Sequence, residues 1–166
     1  MADDPKVASR QPFPVKPAPG TTAGRILGMD VGAKRIGLAV SDPLGITAQG
    51  LPTLRRSSKR ADLEHLGHVL RQFEVSELVV GYPLRMSGAA GAQAERMAEF
   101  AASLRKRFGL PVYLWDERLT SAEAGRVLRQ SEISIQRRSR AIDRLAAVLI
   151  LQSFLDRRAS EPGQTP

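Results

Sequence analysis

Two strand-length apolar runs, Arg25–Val31 and Ile36–Ser41, are separated only by the turn Gly32-Ala33-Lys34-Arg35. So short a connection reads as a hairpin. Along Ile26-Leu27-Gly28-Met29-Asp30-Val31-Gly32 every residue but Asp30 is apolar or glycine. Strands of that kind are buried on both faces, so the hairpin needs cover from two sides.

The remaining chain supplies that cover. Gln49–Arg55 reads as a short third strand. Ala61–Phe73 carries Leu63, Leu66, Leu70 and Phe73 at helical spacing. Glu77–Gly81 is a strand stopped by Pro83. Gly91–Phe108 is a helix with Met97, Phe100, Ala101 and Leu104 on one face, ended by Gly109. Pro111–Trp115 is a strand, Thr120-Ser121-Ala122-Glu123 matches a capping box that opens a helix, and Arg140–Arg157 is the last helix. An antiparallel opening followed by strand–helix units with parallel crossovers predicts a mixed five-stranded sheet flanked by helices. Residues 25–158 form this one domain. Residues 1–24, with Pro5, Pro12, Pro14, Pro17 and Pro19, read as a disordered arm, and residues 159–166 as a frayed tail.

Composition narrows the function. There is no cysteine, which excludes disulfides, zinc–thiolate sites and a cysteine nucleophile and fits a reducing cytosol. No apolar run approaches the roughly 18 residues of a membrane helix. Met1-Ala2-Asp3-Asp4-Pro5 does not begin a secretory leader. A cytoplasmic setting is expected. The net charge is +8, of which the arm carries only +1, so the folded part is basic. That suits either a solvated surface or a polyanionic partner.

Three acidic positions stand out. Asp30 interrupts an apolar strand, where a carboxylate is costly unless paired or metal-bound; organising the turn at Gly32 is the other reading. Asp116 and Glu117 follow the strand ending at Trp115, at the sheet edge where open α/β folds bind ligands. Strand alternation aims them at opposite faces, so only one can face Asp30. Both also suit the start of the next helix electrostatically. Asp143 has Ala146, Ala147 and Ile150 at spacings of three, four and seven, so it crowns the apolar face of its helix. A first-turn acid is the alternative. Converging carboxylates repel one another, and a hard divalent cation, Mg²⁺ or Mn²⁺, relieves this. Two such ions suit phosphodiester hydrolysis. Cations flank each acid: Lys34 and Arg35 after Asp30, Arg118 after Glu117, and Arg137, Arg138 and Arg140 before Asp143. They are candidates for phosphate contacts. His65 and His68 lack partner ligands for a metal.

Four motifs in this order, Asp30–Ala39, Val80-Gly81-Tyr82-Pro83 with Gly88, Asp116–Thr120, and Ile142-Asp143 with Ala146–Gln152, resemble the YqgF/RuvX family. The resemblance covers Arg25 to about Phe154. It implies an RNase H-like α/β fold of three layers, whose first three strands are antiparallel and the rest parallel. It also implies a metal-dependent nuclease with catalytic Asp30, Glu117 and Asp143, metal ligation by these and Asp116, and Mg²⁺ or Mn²⁺. Its substrate is expected to be precursor ribosomal RNA, with branched DNA as the alternative, and its state monomer or homodimer. Many RNase H-like nucleases carry an acid at the end of the fourth strand. Here that slot reads Gly81-Tyr82-Pro83, so the middle acid must come from the next strand, with Glu117 favoured over Asp116. A non-catalytic RNA-binding assembly or transcription factor suits the charge equally well, but gains nothing from the acids. Asp30-Val31-Gly32 also resembles the phosphate loop of actin-like ATPases and sugar kinases, which need a second lobe.

Overall fold

A single layer of five strands carries helices on both faces. The computed structural model describes residues 24–83, 91–116 and 135–161, the last segment with side chains from Asp143 onward. The strands are β1 (Arg25–Val31), β2 (Arg35–Ser41), β3 (Ala48–Arg55), β4 (Val75–Tyr82) and β5 (Val112–Asp116). The helices are α1 (Lys59–Gln72), α2 (Ala92–Phe108) and α3 (Ile135–Ser160). The sheet order is β3-β2-β1-β4-β5. β1–β2 and β2–β3 pair antiparallel, whereas β1–β4 and β4–β5 pair parallel. This is the mixed sheet expected from the order of elements. Residues 1–23 of the expected arm, the helix expected from Thr120 and residues 162–166 of the expected tail lie outside the described residues, while Ala159 and Ser160 continue the last helix.

The period-2 geometry of the strands sends alternate side chains to two separate cores. Leu27, Met29, Leu38, Leu78 and Val80 pack with Leu66, Leu70, Met97 and Leu104 under α1 and α2. Ile26, Ala39, Val79, Tyr113 and Trp115 pack with Ala147, Ile150, Leu151 and Phe154 under α3. Burial of Ala146, Ala147 and Ile150 on α3 is what the spacing from Asp143 requires.

Three elements start two or more residues before the expected position. α1 starts at Lys59 because Ser58 caps it, its hydroxyl accepting from the Ala61 amide at 3.1 Å. α3 starts at Ile135, ahead of its apolar stripe; Gln and Arg are good helix formers and need no core to extend a helix. β4 starts at Val75, so Glu77 lies inside the strand and is buried.

Two close contacts fix α3 on the sheet. In its third turn, the Asp143 backbone lies where a Cβ on Gly37 would stand. One strand over, a Cβ on Gly28 would come within 2.7 Å of Leu151 Cβ. At its far end, Arg158 donates to both oxygens of Glu77 at 3.1 and 2.8 Å. The guanidinium also lies 4.6 Å from the centre of the Phe154 ring and 5.5 Å from that of Tyr113. Burial, helped by the Glu77 charge, pushes the Tyr113 phenol up to about 12. Between these contacts, Gln152 accepts from the Ala48 amide and donates to the Ile46 carbonyl, both at 2.9 Å, tying α3 to the edge strand.

Removing one partner of a buried pair strands the other's charge. Arg158→Ala is expected to cost about 3–5 kcal/mol, read as a lower urea midpoint. Gly37→Ala forces α3 off the sheet and is expected to cost about 1–3 kcal/mol by the same measurement.

Candidate functional site

Asp30 shares its strand face with Ile26 and Gly28, and both of those meet α3. It is partly buried, near the C-terminal end of β1. Its cross-strand partner is Gly37. Gly37 is also where the backbone of Asp143 rests on β2. One glycine thus has Asp30 beside it in the sheet and Asp143 above it on the helix. Acids 113 residues apart in sequence are brought to one end of the molecule by that contact.

Asp143 is held in an unusual state. Arg35, two residues before Gly37 and on the same face of β2, places Nε 3.0 Å from Oδ2. That is ion-pair distance, but the alignment falls short of a hydrogen bond. Oδ2 is fully enclosed and accepts no hydrogen bond among the described residues. Burial pushes the carboxyl above the ordinary value of 3.8, and the Arg35 charge only partly opposes this. A buried oxygen with a neighbouring charge but no hydrogen bond is a vacant acceptor. Oxygen donors of this kind suit a hard divalent cation. Among the described residues, no three of His, Cys, Asp or Glu gather into a metal cage.

The middle acids divide. Tyr113 and Trp115 face α3, whereas Val112 and Leu114 pack towards α1 and α2. Asp116 continues the second set, on the face away from Asp30, and pairs in register with Tyr82. Glu117 and Arg118 lie outside the described residues. Arg137, Arg138 and Arg140 fall in the first turns of α3, and their side chains lie outside the described residues too. Lys34 is exposed in the β1–β2 turn. Arg35, expected on phosphate, is engaged with Asp143. His65 and His68 are both exposed on α1.

Sequence reading missed a cationic cleft of about 390 Å³, lined by Lys34, Arg55, Arg56, Ser57, Lys59 and Asp62. The signal was the basic run Arg55-Arg56-Ser57-Ser58-Lys59-Arg60 just after the third strand. It is easily passed over because no acid stands out nearby; Asp62 is hidden in a helix pattern.

Residues 24–157 match the family model described as RuvX: Holliday junction resolvase. A protein of Koribacter versatilis, provisionally named pre-16S rRNA nuclease, is 62% identical over 140 residues, covering 84% of this chain and 92% of that protein. One of Moorella thermoacetica with the same provisional name is 53% identical over 133 residues, covering 80% and 95%. Among solved structures, Thermus thermophilus RuvC in complex with a Holliday junction substrate superposes with a TM-score of 0.51 at 16% identity, covering 82% of this chain and 97% of that one. The fowlpox virus resolvase complex with Holliday junction DNA gives 0.52 at 10% identity, covering 81% and 98%. At these identities the likeness is one of fold, and it is the RNase H-like fold expected from the motifs.

A folded carboxyl that keeps its proton above 3.8 binds a proton that the unfolded chain has already released. In EDTA, Asp143 therefore costs the fold stability as pH rises from 3.8 through its folded value. Asp143→Asn is expected to remove that loss, so its melting temperature gains on the parent's across this window in a thermal scan.

Proposed function

The chain belongs to the RuvX family, and on that premise we propose that it is a divalent-metal-dependent endonuclease that trims the 5′ end of precursor 16S ribosomal RNA. The observation that carries the reading is the meeting of Asp30 and Asp143 around Gly37, with a buried Asp143 oxygen that accepts no hydrogen bond among the described residues. A purely binding surface has no use for such an arrangement on a basic protein. Both the 62% and the 53% identical relatives carry the rRNA-nuclease name.

Asp30, Glu117 and Asp143 are the residues to hold the ion, Mg²⁺ or Mn²⁺. Asp116 is the less suited member of its pair because its strand position faces α1 and α2. A bound divalent ion supplies Lewis acidity at the phosphoryl oxygens and lowers the pKa of water. Arg35 balances the Asp143 charge at 3.0 Å and is placed to meet a phosphate beside it. Lys34 extends the positive rim from the turn, and Arg118, Arg137, Arg138 and Arg140 are candidates to continue it. No helix among the described residues is long and apolar enough to cross a membrane, which agrees with work in the cytoplasm on ribosomal precursors.

Cleavage of branched DNA is the second reading, favoured by the family's description as Holliday junction resolvase. Such a resolvase makes paired cuts and calls for a two-fold dimer.

Incubation with precursor rRNA and with a four-way DNA junction, each with Mg²⁺, Mn²⁺ or EDTA, separates the readings. Cleavage of the RNA with metal and none in EDTA is expected. Asp30→Asn is expected to lose more than the roughly 10–100-fold that outer-shell partners of metal ligands cost, while RNA binding persists. Equal cleavage by parent and variant would end the catalytic claim for this site.

A further inference from the structure

We infer that the cationic cleft beneath the β1–β2 turn is a second phosphate-binding site, gripping nucleic-acid backbone away from the bond that is cut. This rests on the nuclease reading above and extends it to how the substrate is held.

The floor of the cleft is built and rigid. Arg56 donates from its amide to the Lys34 carbonyl at 2.9 Å and from its guanidinium to the Gly32 carbonyl at 2.8 Å. Its Nε donates to Asp62 Oδ2 at 3.2 Å, and the Ser57 amide donates to the other Asp62 oxygen at 3.1 Å. Asp62, 2% exposed, thus has both oxygens engaged and a guanidinium beside it. The guanidinium carbon lies 5.7 Å from the Phe100 ring centre, which fixes it further. Arg56 is thus structural, and it shapes a basin bordered by exposed Lys34, Arg55 and Lys59.

Arg55 is exposed and makes no ion pair among the described residues, and its cross-strand partner Arg35 already engages the Asp143 carboxylate. Lys59 is the first residue of α1, where the helix dipole presents its positive end. These two positive charges around one cleft are answered by an anion entering it. Phosphodiester oxygens supply that charge repeatedly, and Arg and Lys are suited to them. The β1–β2 turn links this cleft to the site: Asp30 precedes the turn, Lys34 forms it, and Arg35 leaves it to meet Asp143. Backbone lying over the turn passes from one to the other.

The test uses the full chain and a fluorescein-labelled RNA hairpin, with binding followed by anisotropy in EDTA from low to high salt. R55A/K59A is compared with the parent and with K106A/R107A, which removes two exposed cations from the last turn of α2. R55A/K59A is expected to bind more weakly, with a log–log salt slope shallower by about 0.7–0.9 for each phosphate no longer gripped. Its melting temperature without RNA is expected to equal or exceed the parent's, and its cleavage to show a raised KM with kcat kept. An unchanged slope, or an equal change in K106A/R107A, overturns the cleft and leaves the nuclease reading standing. A parent that binds no RNA overturns both.

Discussion

The seating of α3 on β2 at Gly37 is the contact on which the functional end of the molecule depends. A helix normally rides on side chains, well above the strands beneath it. Here the missing Cβ lets the Asp143 backbone rest on the sheet itself. The helix is thereby lowered until its first described acid and the acid of β1 share a neighbourhood, with Arg35 beside them. Any larger residue at position 37 raises the helix and separates them.

Two places on α3, one near its end and one in its third turn, are treated oppositely. Around Arg158 every charge is answered: both Glu77 oxygens accept, and two rings lie near the guanidinium. Around Asp143 an enclosed oxygen accepts no hydrogen bond among the described residues, and burial works against its charge. The Arg158 contacts anchor the helix so that Asp143 can be held in a poorly solvated state. Proteins concentrate such local discontent at sites that act on ligands. The cleft at Lys34, Arg55 and Lys59 gathers exposed cations over a well-bonded Arg56 and Asp62.

Most of the architecture is legible in the sequence, because apolar periodicity and punctuation report it directly. The β1 limits, Gly109 as the left-handed cap of α2 and the apolar stripe behind Asp143 all appear as read. What escapes is long-range pairing. Nothing local in Glu77 announces Arg158, so the sequence does not show that a charged residue lies inside β4 rather than at its start. Arg35 looks like a phosphate ligand, since its partner stands 108 positions later. The glycines of β1 and β2 read as turn or strand chemistry, because the helix that needs them arrives only in three dimensions. The face on which the strand position of Asp116 falls is readable, since alternation is a local rule.

That alternation makes membership of the site a matter of parity. On β1 the even positions look towards α3, and on β5 the odd ones do, as Tyr113 and Trp115 establish. By the same count the strand position of Asp116 falls on the face of α1 and α2. Inserting or deleting one residue within β5 would exchange the complements of the two faces in a single step, trading aromatic core for carboxylate. A lineage can vary which acid it carries there, but it cannot slide the frame without dismantling both cores together.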